Sequence, residues 1–569
     1  MSKIYKIGAC VCIVLAVVIV LLEVFNTSDL DANKDNTISS NNEYSFQYHR
    51  PDFAEAFDYI EKLEKNIDAV DAASYKKDFE KFSEMLMDIS TENRVLMIER
   101  YNNINSLELI DEYKYFFSEY EKLYVRYAEY LKTLIHSDVY SHISADWTEE
   151  ERQNEVEALQ VLDENYNAYM TKQEEIINEY YLERAEGYIW RDGKKMMLNA
   201  LLESEEYSDD EKAAFELEAL QNYYSQVKKL YISVIENNNN IAKYYGYNSY
   251  YDYYCTQNNY DFNSSIKPEM IYSWVKEELV PLYFSIYSGL SSTEVSDLLN
   301  RKYSLDETLN MLEEDIGKIS PDIKEVFQQM LSSKHAWISN QDGKSTNNFT
   351  TYLYSYGYPF INVYLYENYI DQGSILHEFG HYYGYEKTGI EIENYMDVFE
   401  TMAQSMNSMY WAMKYHEAGF STDVKLNILN ILQTTIFSAL LDEFEAYAYK
   451  EKITDWSLLD QKYHELIEEY KLMENLGDVS GMGEWAGFSL ILENPFYYRH
   501  YMMSSIPALM IMSEGFSSTD KMTNMYEGLI SNNMATTIDD VVSLYNQSNT
   551  SIRELLNKIT NMLKTALQN

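Results

Sequence analysis

Proline and glycine are scarce in this chain, with 7 and 19 residues among 569. No proline falls between Pro51 and Pro268. Turn-rich all-β folds need such breakers at frequent intervals, so their scarcity argues against that class and points to long helices. Cysteine is scarcer still. Cys10 and Cys12 lie in an apolar N-terminal run and Cys255 is alone in the main body, so no disulfide is expected there. Positive charge is also short: 45 Lys and Arg face 92 Asp and Glu, a net charge of −47. That excludes a protein that tracks nucleic-acid phosphates, and it argues against electrostatic docking on anionic lipid. It favours attraction of cationic ligands or peptides, although solubility alone accounts for an acidic surface. There is no glycine-rich phosphate loop and no serine or cysteine nucleophile signature.

What the chain does have is length, aromatic rings and helical periodicity. At 569 residues with 46% apolar content, it can form two or three domains around sizeable cores. Its 56 tyrosines predict contact surfaces made of flat rings with a polar tip. Lys3 and Lys6 precede an uncharged run from Ile7 to Leu22, and Asp29 and Asp31 follow it. Residues 1–25 therefore read as a transmembrane anchor or signal segment, with the N-terminus inside and the body outside. No small-residue cleavage site follows, so an uncleaved anchor is favoured; cleavage would make the protein secreted. Residues 26–43 are polar and acidic, a linker. Residues 44–265 are expected to form an N-terminal helical domain: Phe79, Phe82, Leu86 and Ile89 repeat at helical spacing, as do Leu107, Ile110, Tyr113 and Phe117. Ile241 to Tyr247 reads as a helix end capped by Gly246. Residues 266–569 form the second expected domain. Within it, Thr350 to Glu367 is dense in Tyr, Val, Ile and Phe around Gly357 and Pro359, which predicts a strand pair. Helices follow, one capped by Asp371, a second capped by Asp397 and a third over Leu426 to Tyr449. Gly477 to Phe488 is a glycine-rich loop.

One stretch carries chemistry. Ile375 to Tyr385 reads ILHEFGHYYGY and contains His377-Glu378-Phe379-Gly380-His381. Residues four apart on a helix lie only about 40° apart around its axis, so both imidazoles share a face. Such a pair binds one zinc ion, with Glu378 beside it as general base. Zinc in a peptidase needs a third protein ligand and an open position. Lys387 stands where a metzincin would place its last histidine, so the third ligand is expected to be a carboxylate. Glu386, Glu391, Glu393, Asp397 and Glu400 are the candidates. Glu386 shares the motif helix but points roughly 140° away from His381. Glu400 can reach the metal from an antiparallel second helix. His464 starts a similar pattern that ends in Glu468, an ordinary helix surface. The remaining histidines, His49, His136, His142, His335 and His416, show no partner pattern. Asn263-Ser264-Ser265 and Asn348-Phe349-Thr350 are glycosylation sequons that matter only in a glycosylating pathway.

With HEFGH and a later glutamate, the sequence resembles the oligoendopeptidase F and thimet oligopeptidase family of zinc peptidases. The resemblance runs through Gly343-Lys344-Ser345, Phe360-Ile361-Asn362-Val363 and Leu376. It continues through Asp442-Glu443-Phe444-Glu445, Trp485 and Pro495-Phe496-Tyr497-Tyr498. It covers roughly residues 241–510. It implies a mainly α fold: a large helical body with a deep substrate channel and a small β-sheet beside the zinc helix. It makes residues 266–569 the zinc peptidase catalytic domain, with one zinc held by His377, His381 and Glu400. It implies short peptides as substrates, with Glu378 activating water. Tyr498 and Tyr501 are then the first candidates for donors to the oxyanion, followed by Tyr497 and His500. There are departures. The family's histidine five residues before the PFYY proline is Leu490 here, the stretch from His381 to Glu400 is shorter than usual, and an N-terminal anchor is not typical. The loss at Leu490 motivates a second reading, a catalytically weak relative that binds peptides outside the cell; the intact Glu378 counts against it. A third reading is an interaction protein whose HEFGH is accidental.

The location implied by the first 25 residues is checked by fractionation. The full chain should sediment with membranes and its body should be open to protease on intact cells. Deleting residues 1–25 should release it. A soluble cytoplasmic full-length chain would overturn the anchor.

Overall fold

The proline-free stretch forms long helices, as its periodicity predicts, but it also holds an antiparallel hairpin over residues 188–197 that the helical reading did not foresee. The computed structural model describes residues 44–568, apart from 45, 105, 146–167, 170, 174, 178, 181–186, 192–193, 205, 259, 261–264, 390–391, 394, 473–483, 531–536 and 546–550. The expected anchor at 1–25, the linker at 26–43, the sequon at Asn263 and most of the glycine-rich loop lie outside the described residues. In chain order the principal elements are helices α1 (Phe53–Asn66), α2 (Ala72–Tyr101) and α3 (Leu107–Leu134), then the hairpin β1 (Tyr188–Arg191) and β2 (Lys194–Met197) and helix α4 (Asp209–Tyr244). Helices α5 (Leu305–Ile319) and α6 (Pro321–Ser332) follow, with strands β3 (Ala336–Ser339), β4 (Phe349–Leu353) and β5 (Tyr358–Tyr364). The last third holds helices α7 (Ile370–Thr388), α8 (Met396–Ala418), α9 (Thr422–Lys450), α10 (Trp456–Glu469), α11 (Tyr497–Gly515) and α12 (Thr519–Gly528). Pro268 and Pro321 each stand in the first turn of a helix, where the missing N–H costs nothing, whereas Pro281 follows directly on a π-helical turn, Val275–Leu279, within a continuous helical run.

The chain divides into two compact units that interleave along the sequence: Met1–Asp163, Leu290–Asn427 and Pro507–Thr536 in the first, and Glu164–Gly289, Ile428–Ile506 and Thr537–Asn569 in the second. They do not follow the boundary expected near residue 265. In the first unit α2, from the N-terminal part of the chain, docks on the strands beside HEFGH. Tyr101 meets Phe349 at 4.9 Å between ring centroids, and the backbone N–H of Ser355 donates to Thr91 Oγ1 at 2.9 Å.

The predicted strand pair is present as β4 and β5, antiparallel, joined by a turn in which Gly357 takes φ +75°. Its sheet has a third member: β3 runs parallel to β5, giving the order β3-β5-β4 with β4 at an edge. The sequon at Asn348 leads directly into β4, and the Asn348 Oδ1 accepts the Tyr364 N–H at 2.7 Å. Two expected caps are corrected. Helix α7 begins at Ile370, before Asp371, whose buried carboxylate instead accepts the N–H groups of Tyr366 and Asn368 at 2.8 and 3.0 Å. Helix α8 begins at Met396 with Tyr395 at its N-cap, so Asp397 lies inside its first turn. Gly246, with φ +84°, ends α4 as expected. The third helix is longer than predicted, Thr422–Lys450. Among the described residues it is the one helix long and apolar enough to cross a membrane, but 61% of its apolar stretch is buried inside the protein, as in a core helix.

The second unit is centred on a buried ion pair. The Arg499 Nε donates to Asp442 Oδ1 at 3.0 Å and both side chains are fully buried. The hydroxyl of Tyr272 donates to the same carboxylate, and Arg499 Nη1 donates to Cys255 Sγ at 3.1 Å. The guanidinium also lies over the Phe496 and Tyr251 rings, at 4.7 and 4.9 Å. Asp442 and Phe496 are thus the sequence's DEFE and PFYY segments brought together by one charge. Removing one partner of a buried pair leaves the other uncompensated, a cost of about 3–5 kcal/mol. Asp442→Ala is therefore expected to lower the thermal midpoint by several degrees. An unchanged midpoint would mean that water or a neighbour supplies the missing charge.

Candidate metal centre

Helix α7 carries glycines where a core helix would carry side chains: Gly373, Gly380 and Gly384. Their spacings of seven and four put them on one face. That face is the seam with α8. Asn407 Nδ2 donates to the Gly373 carbonyl at 3.0 Å. A Cβ on Gly380 would stand 2.5 Å from the Ala403 Cα and 2.8 Å from the Met402 carbonyl oxygen. One on Gly384 would meet Ile392 Cδ1 at 3.1 Å and Met402 Cγ at 3.5 Å. Contacts at 373 with 407, 380 with 403 and 384 with 402 run in opposite senses, so the helices are antiparallel. His377 lies between Gly373 and Gly380 on the same face, and His381 lies beside it.

This seam brings Glu400 to the histidines. One donor atom from each of His377, His381 and Glu400 lies within 4.8 Å of the others. The Glu400 carboxylate is 3.9 Å from His377 Nε2 and 3.8 Å from His381 Nε2, and the two rings meet edge-on at 4.9 Å. The Phe399 ring covers His381 at 4.0 Å. Glu400 and His381 are buried, whereas His377 is 26% exposed, so the group is open on one side. Burial lowers the His377 pKa to about 4. It holds His381 well below the usual imidazole range, with the His377 charge acting in the same direction. Both imidazoles are therefore neutral near pH 7, the form in which nitrogen binds a metal. Two neutral imidazoles, one carboxylate and an open side fit a tetrahedral zinc site that retains a position for water.

Two of the other third-ligand candidates are engaged elsewhere. Glu393 accepts Arg94 Nη1 at 3.0 Å and also the hydroxyls of Tyr354 and Tyr385. Glu386 pairs with Tyr382. Asp397 is not part of the convergent group, and Glu391 lies outside the described residues. Glu378, on the same helix as the histidines, is buried and accepts the Thr350 hydroxyl at 2.7 Å on Oε2. Tyr498, His500 and Tyr501 belong to the second unit, on α11. Burial raises the Tyr498 pKa, with the carboxylates of Glu445 and Glu493 adding to it. His500 is buried, with Nε2 2.8 Å from the Tyr254 hydroxyl. Tyr497 is buried too, and Leu490 opens a short helix, Leu490–Glu493.

The glycine seam and the Arg94–Glu393 pair were missed in the sequence. The seam had a signal: a glycine in a helix interior weakens it, so three on one face imply close packing. Gly380→Ala drives a Cβ into backbone atoms that cannot swing aside, an overpacking cost of about 1–3 kcal/mol. It should separate α7 from α8 and reduce bound zinc at least tenfold by elemental analysis. Gly384→Ala, which meets only side chains, should lose less. Full zinc retention in Gly380→Ala would show that the seam does not set the ligand geometry.

No protein-family profile matches the chain, and no curated protein does. Solved structures do match. PZ peptidase A, solved with an inhibitor, superposes with a TM-score of 0.67 at 16% identity, covering 92% of this chain and 99% of that one. A putative oligoendopeptidase F gives a TM-score of 0.68 at 17% identity, over 92% and 98% of the two chains. A putative oligoendopeptidase F from Bacillus anthracis gives 0.64 at 17% identity, over 94% and 99%. Along nearly its whole length, this chain has the fold of the PZ peptidase and oligoendopeptidase F structures.

Proposed function

We propose that this protein is a zinc-dependent endopeptidase that hydrolyses short peptides. The observation that carries the proposal is the convergence of His377, His381 and Glu400 beside a buried Glu378 on a shared helix. One zinc per chain is held by the two imidazoles and the Glu400 carboxylate. Bound there, zinc supplies a Lewis acid for the scissile carbonyl and makes its water acidic near neutral pH. Glu378 takes the water's proton and delivers it to the leaving amine. Among the described residues β4 stands at the edge of its sheet, and its Thr350 touches Glu378. An extended peptide pairing with that edge would lie beside the base. The fold shared with peptidase structures supports the same reading.

Tyr498 and Tyr501 are proposed as donors to the developing oxyanion, with His500 next. Their hydroxyls matter to turnover only where they meet charge that grows in the transition state. The N-terminal apolar run is proposed to tether the protein to the cell membrane with its body outside.

The test is cleavage of a mixed peptide library by the zinc-loaded protein, with and without chelator. Glu378→Gln keeps the shape of the side chain but cannot accept a proton. It should retain zinc and lose about 10²–10⁴-fold in kcat. Tyr498→Phe or Tyr501→Phe should lower kcat about 10²-fold with zinc content unchanged. Chelator-resistant cleavage, or a Glu378→Gln protein at the parent rate, would overturn the mechanism. Tight peptide binding without turnover by the parent would favour the peptide-binding reading.

A further inference from the structure

We infer that Thr350 is a positioning residue that fixes the carboxylate plane of Glu378 from the sheet. The inference rests on Glu378 being the base, and goes beyond it by naming what aims that base. Thr350 Oγ1 lies 2.7 Å from Glu378 Oε2 and 3.0 Å from the Glu378 backbone carbonyl oxygen. A hydroxyl has one proton to give. The shorter contact to the charged acceptor takes it, so the bond is charge-assisted. Glu378 is thereby held at Oε2, and Oε1 is the oxygen that Thr350 does not engage.

The strand makes this hold stiff. Thr350 is the second residue of β4, paired across the ladder with Ile361 of β5. Its β-branch restricts χ1, so the hydroxyl position follows the strand. Successive strand residues face opposite ways. The next residue, Thr351, therefore turns to the other side of the sheet, where it is buried and its hydroxyl accepts from Arg94 Nη1 at 2.7 Å. Arg94 is itself buried and paired with Glu393. The strand is thus gripped from behind while its front face holds the carboxylate. A glutamate has a broad terminal torsion, and one fixed oxygen removes that freedom. A general base has to lie within hydrogen-bond reach of the proton it takes, and small misplacements of reacting groups are costly in rate.

The experiment compares Thr350→Val and Thr350→Ala, both without the hydroxyl, with Thr350→Ser, which keeps it. Each is made in the zinc-loaded full chain and again in Glu378→Gln. Expected is a loss of about tenfold or more in kcat for Val and Ala, the scale of a lost hydrogen bond to a charged group. KM, zinc content and thermal midpoint should stay at parent values, and Ser should recover most of the rate. In the Glu378→Gln background Thr350→Val should add nothing further, because the group it aims is no longer a base. Crystals of Thr350→Val should show the Glu378 side chain spread over more than one rotamer. Parent kcat in both hydroxyl-free variants overturns the inference. So does a Ser variant as slow as Val, an equal loss in the Glu378→Gln background, or an unmoved Glu378 in crystals. Glu378→Gln at the parent rate is a different failure, that of the base assignment itself.

Discussion

Gly380 has no Cβ, and the backbone of α8 passes through the space where one would stand. The distance between two helix axes is set by the side chains at their contact. With hydrogen at that contact, Ala403 and Met402 come against α7, and Glu400, one turn earlier on α8, comes level with His377 and His381. The convergence of His377, His381 and Glu400 thus depends on an absent side chain. The connection between the helices is short, and Glu393 within it is tied to Arg94 of α2 and to Tyr385 of α7. The seam sets how close the helices lie, and this tie holds the connection between them against α2 and α7.

The zinc-motif residues were legible because their chemistry and their spacing are both local. His377, Glu378 and His381 fall within five residues, and helical geometry alone puts the two imidazoles on one face. Glu400 was one of five carboxylates by residue type alone. Resemblance to zinc peptidases singled it out, and the structure shows the seam that brings it in and the partners that occupy Glu386 and Glu393. The β4–β5 pair was legible from its β-branched and aromatic residues around Gly357. Its third strand was not, because β3 is four residues long and joins by parallel pairing, which leaves no turn signature.

Two physical causes separate the sequence reading from the fold. Asp371 and Asp397 are good capping residues by type, but each helix begins one residue earlier, and local propensity does not resolve a single position. The two-part division of the chain assumed that neighbouring segments fold together, whereas Arg94 ties the segment before residue 265 to one after it. A guanidinium that must be buried takes a carboxylate wherever the chain supplies one, and here that carboxylate is Glu393. Such long-range pairing leaves no periodic trace in a sequence. Asp442 and Arg499 are a second instance, with conventional residues whose partnership appears only in the fold.

The grip of α2 on the sheet also bears on how the protein is made. Thr91 meets Ser355 across 264 residues of sequence, and Arg94 meets Glu393 across 299. During synthesis α2 leaves the ribosome long before its partners exist. Until the turn containing Glu393 emerges, Arg94 has no Glu393 to pair with. Loop closure over such spans costs little more free energy than over spans half as long, since the entropy grows only with the logarithm of length. The cost falls on time: contacts of high sequence separation slow the search for the native state. The helix pair that carries His377, His381 and Glu400, local as its motif is, is thus bound through Glu393 to a segment 299 residues earlier in the chain.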